Sequence, residues 1–295
     1  MSSSEVPLAM ALAAQLGMHV ADRPVSRVQG GSVSECYRWE SVAGPLFVKV
    51  AEAGKLACLE AEAIGLEELR AADAVRVPGV LAFGASGARA YLVLEWLDLQ
   101  PSSAFAEELL GERLARQHRI SAPEFGWQRD NMIGATPQLN PGTGDWVSFF
   151  REQRLAYQLE LARSIGYTDR LQQRGARLLE RMDGLFTAHR PAPALLHGDL
   201  WGGNWGVDPH GAPVIFDPAV YFGDREADLA MTRLFGGFGP SFHAAYHDTW
   251  PLAQGSETRA VLYNLYHVLN HLNLFGAGYL KQAESMIDRL LAELG

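Results

Sequence analysis

Apolar residues in the first hundred positions form short runs separated by turn residues, which is the pattern of β-strands. The predicted strands are residues 36–39, 46–50, 80–83 and 91–97. Between the second and third of these the pattern changes, and a helix is predicted from about Lys55 to Arg70. We expect the strand at 91–97 to lie at the edge of the sheet and to lead into a hinge.

Beyond the hinge the apolar residues recur with the three-to-four-residue spacing of amphipathic helices. The predicted helices are residues 147–166, 170–188, 226–235, 258–275 and 279–294. One short apolar run, Val214-Ile215-Phe216, predicts a buried strand among them. The chain is therefore predicted to be α+β, with a small N-terminal antiparallel-sheet lobe at residues 1–97 and a larger, mostly helical C-terminal lobe at residues 98–295.

The candidate chemistry lies around this short strand. His197-Gly198-Asp199 begins a loop that reaches Asn204, and Asp217 follows the strand directly. In kinase-type phosphoryl transfer an aspartate orients the acceptor hydroxyl and can take its proton, while an asparagine and a later aspartate hold Mg2+. Isolated Asp and Asn residues usually cap surface turns, but these three occur together and in that order. We therefore predict Asp199 as the catalytic base and Asn204 and Asp217 as Mg2+ ligands.

A loop of small residues in the N-terminal half matches the nucleotide side of such a site. Gly30, Gly31 and Ser32 lie between two predicted strands, and small residues let backbone N–H groups approach phosphate oxygens. Lys49 lies on the strand that follows and can pair with the α- and β-phosphates. A Gly-Gly-Ser sequence is also an ordinary hairpin turn, so the prediction depends on its position before the lysine.

Two further features complete the predicted nucleotide site. The predicted helix carries Glu60 and Glu62, either of which can hold Lys49 in an ion pair. We favour Glu62, and a solvated surface position for Glu60. Backbone groups of Glu95 and Leu97 in the hinge are predicted to bind the adenine ring, whereas the alternative is a plain sheet strand.

Charge and composition limit the classes of molecule that the protein is expected to bind. The 295-residue chain has a net charge of −9, which argues against a nucleic-acid surface because phosphate backbones require clustered Lys and Arg. No run approaches the ~18 apolar residues of a membrane span, and the N-terminus has no secretory-signal pattern. Cys36 and Cys58 fit free thiols in a reducing compartment better than a disulfide. We expect a cytoplasmic protein without nucleic-acid or membrane partners, as a monomer or weak dimer.

The catalytic loop differs from that of regulated protein kinases. Gly198 stands where those enzymes carry the arginine that anchors a phosphorylated activation loop, and Pro218-Ala219 replaces Phe-Gly after Asp217. No Ala-Pro-Glu motif follows. These differences favour the small-molecule kinases that share the bilobal protein-kinase-like fold and act on aminoglycosides, choline or sugar amines.

Five segments resemble the fructosamine/ketosamine-3-kinase family: residues 126–140, 145–155, 197–204, 217–238 and 263–276. The match runs from about Gly30 to Tyr279, and the insert around Asp130 and Asn131 is not a general feature of small-molecule kinases. The resemblance implies a kinase that uses ATP and Mg2+ to phosphorylate the 3-hydroxyl of ketosamines, the adducts of sugars and amines. The phosphorylated adduct then falls apart and the amine is recovered. The implied partners are small ketosamines or glycated proteins.

The resemblance also implies substrate contacts. Trp201, beside the base, is expected to lie against the sugar, since an indole face suits the apolar side of a sugar ring. Core packing is the alternative. Asp130, Asn131, His267 and His271 match family patterns and are expected near the substrate. The two histidines are spaced i and i+4 on an apolar helix, which suits a metal site or, as we favour, two core histidines with satisfied hydrogen bonds.

Three residues are expected to support the catalytic loop rather than to react. Asp224, Arg225 and Asp228 are predicted to form an ion-pair and hydrogen-bond network under it.

Two other functions stay open at this stage. The first is a kinase of another hydroxylated amine, such as an aminoglycoside or a choline-like compound. The second is an inactive nucleotide-binding module, which predicts the loss of at least one of Lys49, Asp199, Asn204 and Asp217. All four residues are present.

Overall fold

The structure is a computed structural model that describes residues 5–28 and 34–295. The predicted phosphate loop of Gly30, Gly31 and Ser32 lies outside the described residues.

An antiparallel five-stranded sheet forms the N-terminal lobe. Its strands are β1 (Ser26–Val28), β2 (Glu35–Ser41), β3 (Gly44–Glu52), β4 (Val80–Ser86) and β5 (Arg89–Glu95), in the order β1-β2-β3-β5-β4. Lys49 on β3 lies opposite Cys36 on β2 and Leu92 on β5. The central position of β3 therefore fixes Lys49 from both sides.

The prediction that the strand at 91–97 lies at the sheet edge is wrong, because β5 runs between β3 and β4. The physical reason is visible in its composition. Tyr91, Leu92, Val93 and Leu94 are all buried, and such a continuous apolar run is typical of a strand covered on both faces. The edge strand on this side is β4.

Two helices cover the two faces of the sheet. They are α1 (Glu5–Leu16), which the apolar spacing did not predict, and α2 (Leu56–Ala71), which confirms the predicted helix. Leu8 and Leu12 of α1 pack with Tyr91 and Val93, whereas Leu92 and Leu94 belong to a second core that includes α2. Successive side chains of β5 point to opposite faces of the sheet, so the strand contributes to two separate hydrophobic clusters.

The C-terminal lobe is mostly helical. Its helices are α3 (Ala104–Gln117), α4 (Trp146–Phe150), α5 (Tyr157–Ser164), α6 (Arg170–Arg181), α7 (Glu226–Leu234), α8 (Pro240–Thr249), α9 (Ser256–Phe275) and α10 (Leu280–Leu294). The five predicted helical regions are all helical, and α3 and α8 are additions that the sequence analysis did not predict. In the described part of the chain, no helix combines the length and the apolar character needed to cross a membrane.

Three short antiparallel strand pairs complete this lobe. Their strands are β6 (Asn131–Ile133), β7 (Thr136–Gln138), β8 (Ala194–Leu196), β9 (Trp205–Val207), β10 (Pro213–Ile215) and β11 (Tyr221–Gly223), paired β6–β7, β8–β11 and β9–β10. The predicted buried strand before Asp217 is β10, whose residues are all buried. The pairs β9–β10 and β8–β11 bracket the catalytic loop, and β6–β7 is a hairpin within the segment 126–140.

A π-helical turn, Arg151–Ala156, interrupts the predicted helix at 147–166. Such turns are rare and occur often at functional sites. Within this turn Arg154 is fully buried, and its guanidinium lies 4.3 Å from the Tyr221 ring centre. It donates hydrogen bonds to the Leu139 carbonyl at 2.6 Å and to Asn140 Oδ1 at 2.7 Å. The π-helical turn therefore ties the end of the 126–140 segment to the core.

Candidate active site

One buried carboxylate on α7, that of Asp228, binds the backbone of the catalytic loop. Asp228 accepts hydrogen bonds from the backbone N–H of His197 at 2.7 Å and of Gly198 at 2.8 Å. His118 Nε2 lies 3.1 Å from the same side chain. Although burial alone would raise the pKa of Asp228, its hydrogen bonds and the neighbouring histidines lower it. The prediction that Asp228 supports this loop is confirmed.

Arg225 is linked to the same network, whereas the described hydrogen bonds of Asp224 go to other residues and do not reach Asp228 or the catalytic loop. Asp224 accepts a hydrogen bond from the Tyr263 hydroxyl at 2.6 Å and lies 2.6 Å from His189 Nε2. Arg225 donates to the Tyr246 hydroxyl at 3.1 Å, and that hydroxyl lies 2.8 Å from His118 Nδ1. Among the described residues, Arg225 is thus connected to the loop through Tyr246, His118 and Asp228.

Gly198 occupies a position that no other residue fits. Its φ angle is +83°, and a Cβ at this point would collide with the carbonyl oxygen of Ala219. The approach is close because Ala219 N–H donates to the His197 carbonyl at 2.8 Å, which joins the two segments. The glycine in the His-Gly-Asp sequence is therefore required by local geometry.

Asn204 closes the loop back onto Asp199. Its amide nitrogen donates to the Asp199 carbonyl at 2.9 Å and lies 3.2 Å from Asp199 Oδ2. The same nitrogen lies 3.4 Å from the carbonyl of Asp217. With the nitrogen directed at these oxygens, Asn204 Oδ1 remains as the atom that can ligate a cation.

Burial and neighbouring carboxylates raise the pKa of Asp199 to about 7. Burial makes the larger contribution, and the nearby charge of Asp217 adds to it. A carboxylate whose pKa lies near neutrality is well matched to general-base catalysis, because it can take up a proton at working pH.

Asp217 adopts a left-handed backbone conformation with φ of +56°, two residues after the end of β10. Aspartate is among the few residues that tolerate this region, and non-glycine residues found there often serve functional sites. Lys49 Nζ lies 2.6 Å from Asp217 Oδ1 and 2.6 Å from Glu62 Oε1. The three charged groups form one linked set across the cleft between the lobes.

The pairing of Lys49 distinguishes the two candidate glutamates on α2. Glu62 contacts Lys49, whereas Glu60 lies 3.1 Å from Arg129. Burial opposes the charge of Lys49, but the carboxylates of Asp217 and Glu62 outweigh it and raise the lysine pKa. Lys49 is therefore cationic despite being only 3% exposed.

Two cavities meet at these residues. The first, of about 170 Å3, lies against α2 and the β6–β7 hairpin, and the second, of about 500 Å3, lies under the hinge. Trp201, Asn204 and Asp217 line both cavities, while Asp199, Lys49 and Glu62 line the first. The candidate metal ligands thus lie where the two cavities join, and the candidate base lies on the side of the first cavity.

Glu95 and Leu97 both line the second cavity. The Glu95 side chain is engaged elsewhere, because it pairs with Arg76 and accepts a hydrogen bond from Gly79 N–H at 3.1 Å. Its own N–H donates to the Gly79 carbonyl at 2.8 Å.

Trp201 is a surface residue of the cleft rather than a core residue. Its side chain is 39% exposed, which excludes the core-packing alternative. The indole ring lies directly over Gly203, where a Cβ would collide with it. One face of the ring is therefore supported by the catalytic loop.

The structure separates the two candidate substrate residues of the 126–140 segment. Asn131 lines the first cavity, with its amide nitrogen on the Val220 carbonyl at 2.7 Å and its oxygen accepting from Gln138 at 2.9 Å. Asp130 is exposed, accepts a hydrogen bond from Asn140 N–H at 2.7 Å and is not among the described residues lining the two cavities. Only Asn131 is brought together with Asp199.

His267 and His271 lie on α9, outside the described lining of both cavities. His271 is surrounded by the rings of Phe235, Phe275 and Tyr279 at 4.8–5.3 Å, and its Nδ1 lies 2.8 Å from the His267 carbonyl. His267 is 5% exposed, and burial lowers its pKa to about 3. The structure therefore does not place these two imidazoles with the catalytic residues.

Several residues that line the first cavity were not predicted as site residues. They are Ser34, Cys58, Leu59, Met132, Gly134, Pro218 and Ala219. Cys58 and Leu59 had a sequence signal, since they precede Glu62 by about one helical turn and so share its face. Met132 and Gly134 had none, because their position depends on the long-range contact of the β6–β7 hairpin with α2.

The smaller cavity thus holds a carboxylate with a near-neutral pKa and a buried lysine, and two oxygen ligands lie where it joins the larger cavity. Oxygen ligands suit hard cations such as Mg2+, and a buried lysine suits nucleotide phosphates. The arrangement has the groups needed to bind a nucleotide and to activate an acceptor hydroxyl beside it.

Comparisons with known proteins agree with this chemistry. The sequence profile described as fructosamine kinase matches residues 7–293. A protein of Synechocystis sp. assigned as a ketoamine kinase is 44% identical over 267 residues, which cover 90% of this chain and 89% of that protein. The chloroplastic protein-ribulosamine 3-kinase of Arabidopsis thaliana is 41% identical over 277 residues, which cover 92% of this chain and 83% of that protein.

A solved structure extends the similarity to the fold. A protein of Thermobifida fusca assigned as a fructosamine-3-kinase superposes with a TM-score of 0.87 at 33% identity, covering 97% of this chain and 98% of that one. The similarity therefore includes both lobes and the cleft between them.

Proposed function

Because the chain belongs to the fructosamine kinase family, we propose that it transfers the γ-phosphoryl group of ATP to the 3-hydroxyl of a ketosamine. The phosphorylated adduct then breaks down and releases the amine, so the enzyme reverses glycation. The observation that carries this proposal is that Asn204 and Asp217 lie where the two cavities join, with Asp199 and the Lys49–Glu62 pair beside them in the smaller cavity.

In this proposal the nucleoside part of ATP occupies the larger cavity, and its phosphates reach past Asn204 and Asp217 to Lys49 in the smaller one. The adenine ring lies under the hinge against the main chain of Glu95 and Leu97, in a cavity whose lining includes these residues. Lys49 binds the α- and β-phosphates, and Glu62 holds the lysine in place. Gly30, Gly31 and Ser32, which lie outside the described residues, are the proposed phosphate-binding loop. The lobe boundary at residues 97 and 98 coincides with the adenine contact.

Asn204 Oδ1 and the Asp217 carboxylate are the proposed Mg2+ ligands. Both groups offer oxygen atoms, which Mg2+ prefers as ligands. The Asn204 nitrogen is hydrogen-bonded to Asp199, so it does not compete for the metal. When bound, Mg2+ supplies positive charge that binds the nucleotide phosphates and offsets charge developing on them.

Asp199 is the proposed base for the acceptor hydroxyl. It lies half-buried on the side of the smaller cavity, which we assign to the sugar. Its pKa of about 7 allows it to accept the proton as the oxygen attacks phosphorus. The hydrogen bond from Asn204 Nδ2 to Asp199 Oδ2, at 3.2 Å, orients the carboxylate before the reaction.

Trp201 is the proposed platform for the sugar, since its exposed ring forms a wall of the smaller cavity. Asn131 contributes polar lining opposite. Asp130, His267 and His271 have supporting roles in this proposal, because they hold backbone or pack against rings outside the cavity lining. The sugar site is thus small and partly aromatic.

The acceptor is proposed to be neutral or cationic around the amine. The chain carries a net charge of −9, and the smaller cavity is lined by Asp199, Asp217 and Glu62 against one lysine. Anionic groups on the acceptor would meet like charge. Free ketosamines and glycated proteins both fit this requirement, and we propose that the protein acts on them in the cytoplasm as a monomer or weak dimer.

The test is ATP turnover by purified protein with ribuloselysine, fructoselysine, kanamycin, glucose and a serine peptide. We expect turnover with the ketosamines, with smaller sugars favoured, and little with glucose or the peptide. The Asp199→Asn variant is the control for contaminating kinases. Turnover of kanamycin with no ketosamine activity would replace the proposed substrate with another hydroxylated amine.

A further inference from the structure

Helix α2 is held at two points by a segment that belongs to the other lobe. We call residues 126–140 the clamp segment. Trp127 Nε1 donates a hydrogen bond to Glu68 Oε2 at 3.0 Å, and Arg129 lies 3.1 Å from Glu60 Oε2. Both partners are on α2, which also carries Glu62. The helix that positions Lys49 is thus attached to the C-terminal lobe by side chains other than those of the catalytic set.

The two attachment points flank Glu62 along the helix axis. An α-helix rises 1.5 Å per residue, so Glu60 and Glu68 are about 12 Å apart along it. A rigid helix fixed at two separated points cannot easily tilt or slide. Glu62 lies between these points and therefore has little freedom to withdraw from Lys49.

Close packing removes the remaining space between α2 and the clamp segment. A Cβ at Gly65 would lie 3.1 Å from Val220 Cγ2 and 3.8 Å from the Trp127 ring. The helix therefore sits directly on Val220, three residues after Asp217. The Val220 carbonyl in turn accepts the hydrogen bond from Asn131.

The clamp segment is itself anchored in the core of the C-terminal lobe. Arg154 binds Leu139 and Asn140, and the Tyr266 hydroxyl donates to Gln138 Oε1 at 2.9 Å. Gln138 also donates to the Ala219 carbonyl at 3.0 Å. A continuous set of buried contacts thus connects α9 and the π-helical turn to α2.

We propose that the clamp segment keeps α2 in the position where Glu62 contacts Lys49, with Trp127 as the principal positioning residue and Arg129 as a weaker one. The proposal rests on the phosphotransferase function proposed above and adds a means by which the site is assembled before nucleotide binds. Trp127 dominates because its indole is buried, whereas Arg129 and Glu60 are partly exposed, and exposed ion pairs contribute little.

The test uses three substitutions and a matched control. Trp127→Phe keeps an aromatic ring and removes the N–H donor, Glu68→Ala removes the acceptor, and Glu68→Gln keeps an oxygen that can accept. Glu67→Ala is the control, because Glu67 is on the same helix and pairs with Arg70 rather than with the clamp segment.

Three measurements apply to each variant: amide hydrogen exchange of α2, affinity for Mg-ATP, and kcat and KM with a ketosamine. For Trp127→Phe and Glu68→Ala we expect faster exchange in α2 and a fall in kcat of about 3- to 30-fold, with the ketosamine KM little changed. Glu68→Gln and Glu67→Ala should behave like the wild type.

A double-mutant cycle separates positioning from a general loss of stability. In a Glu62→Gln background the pair with Lys49 is already weakened, so adding Trp127→Phe should reduce kcat by less than it does alone. A purely structural role for Trp127 predicts the same fold-loss in both backgrounds.

The proposal is overturned if α2 exchange and kcat in Trp127→Phe and Glu68→Ala match those of Glu67→Ala. A lower Tm with unchanged kcat also overturns it, and Glu68→Ala decides the matter if Trp127→Phe does not fold. If the wild type phosphorylates no ketosamine, the proposed substrate is wrong, while α2 exchange and Mg-ATP affinity still decide whether the clamp segment acts as proposed.

Discussion

Lys49 and Asp217 contact each other across the cleft, with Nζ 2.6 Å from Oδ1, although they are 168 residues apart in the chain. The contact joins β3 of one lobe to the segment after β10 of the other. Because Asp217 is also the proposed metal ligand, an incoming Mg-nucleotide must share or replace this contact. We therefore expect nucleotide binding to replace the Lys49–Asp217 contact with contacts from Lys49 to phosphate and from Asp217 to Mg2+.

We expect Asp217→Asn to abolish turnover while the protein stays folded. Asparagine tolerates the left-handed backbone that Asp217 adopts, so the substitution removes the charge with little strain. Asp217→Ala should remove activity and also lower the unfolding temperature. Excess EDTA should abolish wild-type activity, and full turnover in EDTA would contradict the metal assignment.

Asp199→Asn is expected to lower kcat by about 10²- to 10⁴-fold, the usual contribution of a general base. The fold should persist, because the Asn204 amide still reaches the backbone carbonyl at position 199. Affinity for ATP, measured by calorimetry without acceptor, should change little. A variant that keeps most of its turnover would remove Asp199 from the role of base.

Trp201→Ala should weaken sugar binding more than nucleotide binding. We expect the ketosamine KM to rise by about 3- to 10-fold, in line with the loss of one aromatic contact. Phe105→Ala is a suitable control, since Phe105 is a 68% exposed aromatic residue on α3 and not among the described residues lining the two cavities. An equal rise in the KM for ATP and for ketosamine would argue against a sugar platform.

Gly198→Ala is expected to lower the free energy of unfolding by about 3 kcal/mol, because it combines a left-handed backbone with a collision against Ala219. Gly211→Ala provides the matched comparison. Gly211 has a similar φ of +84° but no atom within 4 Å of its Cβ position, so its substitution should cost on the order of 1 kcal/mol. Equal costs, measured by urea unfolding, would mean that the collision is relieved by movement.

His267 should make the fold sensitive to acid. Its folded-state pKa of about 3 lies below the ordinary value of 6.5, so the unfolded chain binds the proton more readily. Stability is therefore complete above pH 6.5 and falls as the pH drops from there towards 3. Between pH 7.5 and 5.5 the wild type should lose about 1.4 kcal/mol more than His267→Leu. The exposed His247→Asn is the control, and equal losses in all three proteins would contradict the burial argument.

The sequence predicted those features whose contacts are close together in the chain, and missed those that depend on distant residues. The catalytic loop was recognisable because Asp199 and Asn204 are separated by one short turn, and α2 because its apolar spacing is local. The burial of β5 and the position of Arg154 depend on neighbours far away in the chain. The roles assigned to Lys49, Asn204 and the other site residues stay predictions, since the structure brings these groups together without showing what they bind.

Because position 198 does not accept a side chain, this enzyme is not expected to be regulated in the way that many protein kinases are. Protein kinases that are switched on by loop phosphorylation use an arginine in the equivalent place to sense the phosphate. Here no side chain fits at 198 unless the stretch from Asp217 to Ala219 is rebuilt at the same time. A single substitution at position 198 is therefore not expected to give this loop a phosphate-sensing arginine, because the Ala219 backbone would have to move at the same time.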